Sequence, residues 1–142
     1  MEKSQKLSKV YLSTTKGAVH TLLILFVLGM IANLYIEIPE KLVNAEAWKY
    51  VFTSAPIIAI HAVLGMLLLV VSIASLVMAF LNHRTSWIVA SVLGLIFTGL
   101  AAFSGSDFVS NGQSNLSSLL MAFGFLGAII SYSLAVFQSR TK

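Results

Sequence analysis

The chain contains no cysteine, which excludes disulfides, thiolate metal centres and cysteine nucleophiles outright. Charge is nearly as scarce. Only 10% of the 142 residues are Asp, Glu, Lys or Arg, where a soluble domain carries about 25%, so there is too little polar surface to coat a water-soluble globule. Proline occurs twice, at Pro39 and Pro56. The sequence holds no P-loop, no H-E-x-x-H and no G-x-S-x-G, the patterns that carry phosphate binding, zinc proteolysis and nucleophilic serine chemistry. No internal repeat breaks the chain into units, and residues 1–142 read as a single domain.

What the chain has in quantity is hydrocarbon. Fifty-eight per cent of its residues are hydrophobic and the mean hydropathy is +0.92. The longest run, Ala55 to Leu81, has no Asp, Glu, Lys or Arg and exceeds the ~20 residues an α-helix needs to cross a bilayer core of about 30 Å. Three more apolar runs cover residues 18–36, 87–104 and 116–137. The expected fold is therefore all-α: an integral membrane four-helix bundle with helices near 18–36, 55–81, 87–104 and 116–137. The first run is too long, and lacks the cleavage pattern, for a signal peptide. Pro39 ends it, and Pro56 suits a helix first turn, where its missing N–H has no partner to lose. The polar connection 37–54 carries Trp48, Tyr50 and Phe52, which fits either a short segment at headgroup level or a plain re-entering loop. Residues 105–115, rich in Gly, Ser and Asn, read as a loop.

Charge placement gives an orientation. The net charge is +4, but its positions argue against nucleic acid as a partner. Lys3, Lys6, Lys9, Lys16, Arg84, Arg140 and Lys142 fall on one side of a four-pass chain, seven of the nine Lys and Arg. The other side holds Lys41 and Lys49 with Glu37, Glu40, Glu46 and Asp107. The positive-inside rule then puts both termini in the cytoplasm and the chain in the cell membrane as a multi-pass protein. Lipid is its first partner; a homo-oligomer or a larger membrane complex are further ones.

Lipid tails give helices no hydrophobic reason to associate, so close packing falls to small residues. Ser91, Gly94, Thr98, Ala101 and Gly105 form one such stripe, and Ser117, Met121, Gly124, Ala128 and Ser131 another, with His61, Gly65, Ser72 and Ser75 on the longest helix. His61 stands out, because an ionisable side chain inside a membrane helix marks a functional site by default. If the helix midpoints are level, His61 lies opposite about residue 35 of the first helix, and His20 opposite about residue 76 of the second. The two histidines are then roughly 20 Å apart in depth and cannot share one metal. Asn33, Tyr35, Ser104, Ser117, Ser118 and Met121 fall near the level of His61. A His/Met pair is an axial set for haem iron, which makes His61 and Met121 candidate metal ligands. Gly65, one turn along, would let a flat ring approach the backbone, and His20 is a candidate for a second cofactor. The competing reading is that His61 hydrogen-bonds a neighbour and holds the helices together.

His61-Ala-Val-Leu-Gly65 opening a long apolar helix that Arg84 closes resembles helices of four-helix haem-b membrane proteins, the cytochrome b561 family and the half-bundles of haem A synthase. The resemblance covers about one helix and the four-helix layout. It implies haem b held between facing helices for electron transfer or redox and gas sensing, with His61, and secondarily His20, as ligands. Those families pair histidines at matched depth, and this chain supplies no such pair. The alternative from another class is a non-catalytic accessory subunit of a larger membrane complex; a passive channel formed by oligomers is a third.

Overall fold

The computed structural model describes residues 2–138. Among these residues there are five helices and no strand: α1 (Glu2–Tyr35), α2 (Asn44–Ser54), α3 (Pro56–Leu81), α4 (Thr85–Ser110) and α5 (Asn115–Gln138). All but α2 are long and apolar enough to cross a membrane. α1 packs against α3 and α5, and α4 against the same two, so the four long helices close into a ring. The α4–α5 seam is the most extensive. The short α2 packs on α3 and α4.

Three boundaries differ from the sequence reading. The first helix does not begin at residue 18 but runs back to Glu2, because Tyr11 and Thr15 in its polar start are fully buried against α3 and α4. The third long helix does not stop at 104; it continues to Ser110. The expected loop 105–115 shrinks to residues 111–114, with Gly112 at φ +69° supplying the left-handed turn that glycine takes without a side-chain penalty. The connection 37–54 contains a true helix, α2, whose Ala47 and Val51 are buried with Ala32, Ile38, Ile58 and Val109. Pro56 opens α3 as expected. Arg140 and Lys142, counted above among the basic residues, lie outside the described residues.

The start of α1, the end of α3 and the start of α4 meet at one end. There Ser8 donates to Asn82 (2.8 Å), and Tyr11 stacks on Trp87 with ring centroids 4.3 Å apart. We call this the basic end, and the opposite one the α2 end. The half nearer the basic end is filled by hydroxyl groups. The Tyr11 hydroxyl donates to the Trp87 carbonyl (3.3 Å) and shares a hydrogen bond with Ser91 (3.1 Å). Thr15 meets Ser75 at 3.2 Å, and Ser72 reaches Thr98 at 3.5 Å. Thr15, Ser72 and Thr98 also donate to carbonyls four residues back in their own helices, so these buried polar groups carry no desolvation penalty without a partner. The small-residue stripes read from the sequence are buried here: Ser72, Ser75, Ser91, Thr98 and Ser131 among the polar residues, Ala128 among the apolar. Tyr11→Phe keeps the stack and removes the hydroxyl, and is expected to cost about 1 kcal/mol, measured by reversible unfolding in mixed detergent micelles.

The α1–α3 register follows from three contacts. Ser8 faces Asn82 and Thr15 faces Ser75, while a Cβ added at Gly29 would lie 3.1 Å from Cε1 of His61. In each pair the residue numbers total 90. His61 is therefore level with Gly29 and not with residue 35, a displacement of six residues or about 9 Å. The sequence estimate equated the midpoints of two apolar runs, but the α1 interface begins at Ser8, well inside a polar stretch.

Candidate functional site

In the half nearer α2 the four long helices do not fill the space between them. A cavity of about 360 Å³ lies there, within the range of small-molecule sites. It extends along α1 from Leu22 to Asn33 and along α4 from Thr98 to Val109, about 16 Å in each case. Small residues create it: Gly29 on α1, Ala62 and Gly65 on α3, Ala101 and Gly105 on α4, Ala122 on α5. Its lining includes no Asp, Glu, Lys or Arg, and the few polar groups are concentrated towards α2: Asn33, His61, Ser106 and Ser118, with Thr98 at the far end.

His61 is the one ionisable group in the wall. Gly29 lies against its ring, and one side of the imidazole faces the main chain of Leu25. Its Nδ1 is buried with no hydrogen-bond partner. That nitrogen is on the ring edge packed against α1, 3.6 Å from the position a Cβ would take at Gly29, where an unpaired polar atom costs about 1–3 kcal/mol. Gly65 follows one turn on, and a Cβ added there would touch nothing within 4 Å; it borders open space, not a neighbouring helix. Met121 also lines the cavity, with its sulfur 3.5 Å from the position a Cβ would take at Gly105. Stacked Phe26 and Phe125 pair α1 with α5, which sets Gly29, and so His61, level with about residue 122 of α5. Counting through α4 instead, from Ser72–Thr98 and Gly105–Met121, the matching residue is about 117. Met121 lies between the two values, within about one turn of the level of His61.

Three of the four residues singled out from the sequence, His61, Gly65 and Met121, thus line one cavity. His20 does not. It is exposed on α1, about 14 Å of helix away from the level of Gly29, and its Nδ1 bonds the Lys16 carbonyl at 2.7 Å. A carbonyl only accepts, so that nitrogen carries the proton. Asn33 and Ser118 line the cavity as expected. Tyr35 instead points away, 79% exposed, as the six-residue shift in register requires. Ser104 is buried behind the wall with its hydroxyl unpaired, and Ser117 donates to Asp107, which also accepts from Asn111; that carboxylate joins the end of α4 to the start of α5. Among the described residues no three His, Asp or Glu side chains converge on a point that could hold a metal ion.

Sequence reasoning missed Gly29 and Trp48. Gly29 carried a signal, since it lies on the α1 face that includes Leu22, Leu25 and Ala32. Trp48 had none beyond its aromatic ring. It lines the cavity from α2 and donates its indole N–H to Ser110 (3.2 Å). Beside it Gln113 ties down the approach to α2, accepting from the Ile38 N–H and donating to the Ile36 carbonyl, each at 3.0 Å.

No family model, curated protein or solved structure matches this chain.

Proposed function

We propose that this is a small integral membrane protein that binds haem b in the cavity beside His61 and serves electron transfer or redox sensing. The observation that carries the reading is His61, the one ionisable side chain in the wall of a cavity that Gly65 and Met121 also line. The residues fit the iron and the porphyrin faces in three respects, while no Lys or Arg in the lining pairs with the propionates. An imidazole stands in the wall, small residues leave a gap between helices, and a thioether stands within a turn of the same level. His61 and Met121 would be the residues that hold the group. Bound haem supplies one-electron chemistry at iron, at a potential set by its axial ligands, burial and nearby hydrogen bonds. The chain's own contribution is to exclude water with α2, to orient the imidazole against Gly29 and to surround the site with hydrocarbon.

The membrane setting is supported by the outward faces of the long helices. Val27, Met66, Val70, Ile73 and Ile96 are each about half exposed or more, a surface that only lipid solvates well. The basic end would face the cytoplasm by the positive-inside rule, with the His61 cavity in the opposite half of the bilayer. A plain accessory subunit is the rival, and the hydroxyl-filled half is what favours it, since such layers serve as helix glue.

The test is titration of the detergent-purified apoprotein with haemin. We expect a Soret band that saturates at one haem per chain, and a Gly29→Ala variant that binds several-fold more weakly, because the added Cβ presses on the imidazole edge. Spectra indistinguishable from haemin in detergent alone would leave the accessory-subunit reading.

A further inference from the structure

We propose that the His61 cavity opens sideways onto the lipid phase, through the seam between α1 and α5, so that it takes molecules dissolved in the membrane and not ones delivered from either aqueous side. This rests on the membrane setting and on the cavity being a binding site, but not on haem being the occupant.

Towards water at its near end the cavity is roofed by α2, which buries Ala47 and Val51 completely and is held by the bond from Trp48 to Ser110. At its far end lie the hydroxyl layers, with Thr15, Ser72 and Ser75 fully buried. The α4–α5 seam is shut by direct backbone approach: a Cβ at Gly124 would lie 2.7 Å from the Ala101 nitrogen. The α1–α3 seam is shut by Gly29 against the His61 ring. The α3–α4 seam is covered from outside by α2, which packs on both of those helices.

One seam is left. On α1, Phe26 and Met30 line the cavity while being 49% and 44% exposed. On α5, Ala122 lines it and is exposed as well. Side chains that face both a cavity and the exterior mark a thin wall. Across that wall the stacked rings of Phe26 and Phe125, centroids 5.1 Å apart, are the closure. It is apolar, and among the described residues no hydrogen bond crosses it between Phe26 and Tyr35. Rotation of two phenyl rings therefore opens it at no cost in broken hydrogen bonds. With no charged group in the cavity wall, a hydrocarbon chain is the occupant this route admits most readily.

The experiment uses the whole protein in phosphatidylcholine vesicles that contain a small fraction of phospholipid with a diazirine in mid acyl chain. Photolysis gives a carbene that inserts into whatever side chain it touches, and peptide mass spectrometry locates the adducts. We expect adducts on Leu25 and Leu68, which line the cavity but are 7% and 2% exposed, alongside those on exposed residues. Ala122→Trp, which fills the slot, should reduce the Leu25 and Leu68 adducts at least five-fold. Val63→Trp, on an exposed face of α3 outside the cavity lining, should leave them unchanged. Adducts confined to exposed residues would overturn the proposal, as would internal adducts that Ala122→Trp does not reduce. So would labelling of Leu25 by a charged, water-soluble diazirine added outside the vesicles. Because no haem is involved, the result stands apart from the haemin titration.

Discussion

Gly124→Ala is expected to destabilise the protein by about 2 kcal/mol, and Gly124→Val by more. A methyl group at Gly124 would lie 2.7 Å from the Ala101 nitrogen and 2.8 Å from the Phe97 carbonyl oxygen. Both are main-chain atoms of α4, so no side-chain rotation relieves the contact. The two helices must separate, and the most extensive seam of the ring loosens along its length. Alanine recovers up to about 1 kcal/mol of helix propensity, which is why valine, larger and β-branched, should be the harsher change. Gly99→Ala is the matched control. Nothing lies within 4 Å of a Cβ at that position, so the same substitution there should be neutral or stabilise by up to about 1 kcal/mol. Unfolding in mixed detergent micelles measures both. Equal effects at the two positions would mean that α4 and α5 do not meet in this register.

His61→Ala is expected to abolish the haem spectrum while leaving the fold intact. The side chain makes no hydrogen bond with a neighbouring side chain; its polar contact is with the main chain of Leu25 and the ring's close contact is with Gly29. Its removal enlarges an existing cavity and relieves an unsatisfied polar atom, so the net change in stability should be small, within about 1–2 kcal/mol. A hydrogen-bonding glue residue would behave in the opposite way, costing stability with no spectral consequence. Met121→Ala should keep a Soret band but move it, if Met121 holds the proposed haem together with His61. The pair of variants thus separates ligand from wall: thermal stability reports the packing role, and the spectrum reports the coordination role.

The four long helices were legible because an apolar run of membrane length has few alternatives. The stripe Ser91, Gly94, Thr98 was legible because a 3.6-residue period puts those positions on one face. His61, Gly65 and Met121 were brought to one cavity by the same depth reasoning, although the register itself was wrong by six residues. That error came from treating Ser8, Tyr11 and Thr15 as part of a solvated tail. Each of those hydroxyls has a partner on α3 or α4 or at the end of α3, which hydropathy averages cannot anticipate. The extension of α4 to Ser110 was hidden for a related reason. Gly105, Ser106 and Asp107 read as turn residues, yet Asp107 accepts from Asn111 one turn on and from Ser117 across the turn, which favours continuing the helix. The role of α2 as a roof over the α3–α4 seam depends on where two distant helices leave a gap, and no local pattern in residues 44–54 encodes that.

The most direct test of the central claim is the absorption spectrum of the wild-type protein purified from cells supplied with haem, recorded oxidised and then dithionite-reduced. The account expects a Soret band with one haem per chain that shifts to longer wavelength on reduction and gains sharp α and β bands. A colourless protein from the same cells, folded by circular dichroism, would contradict it.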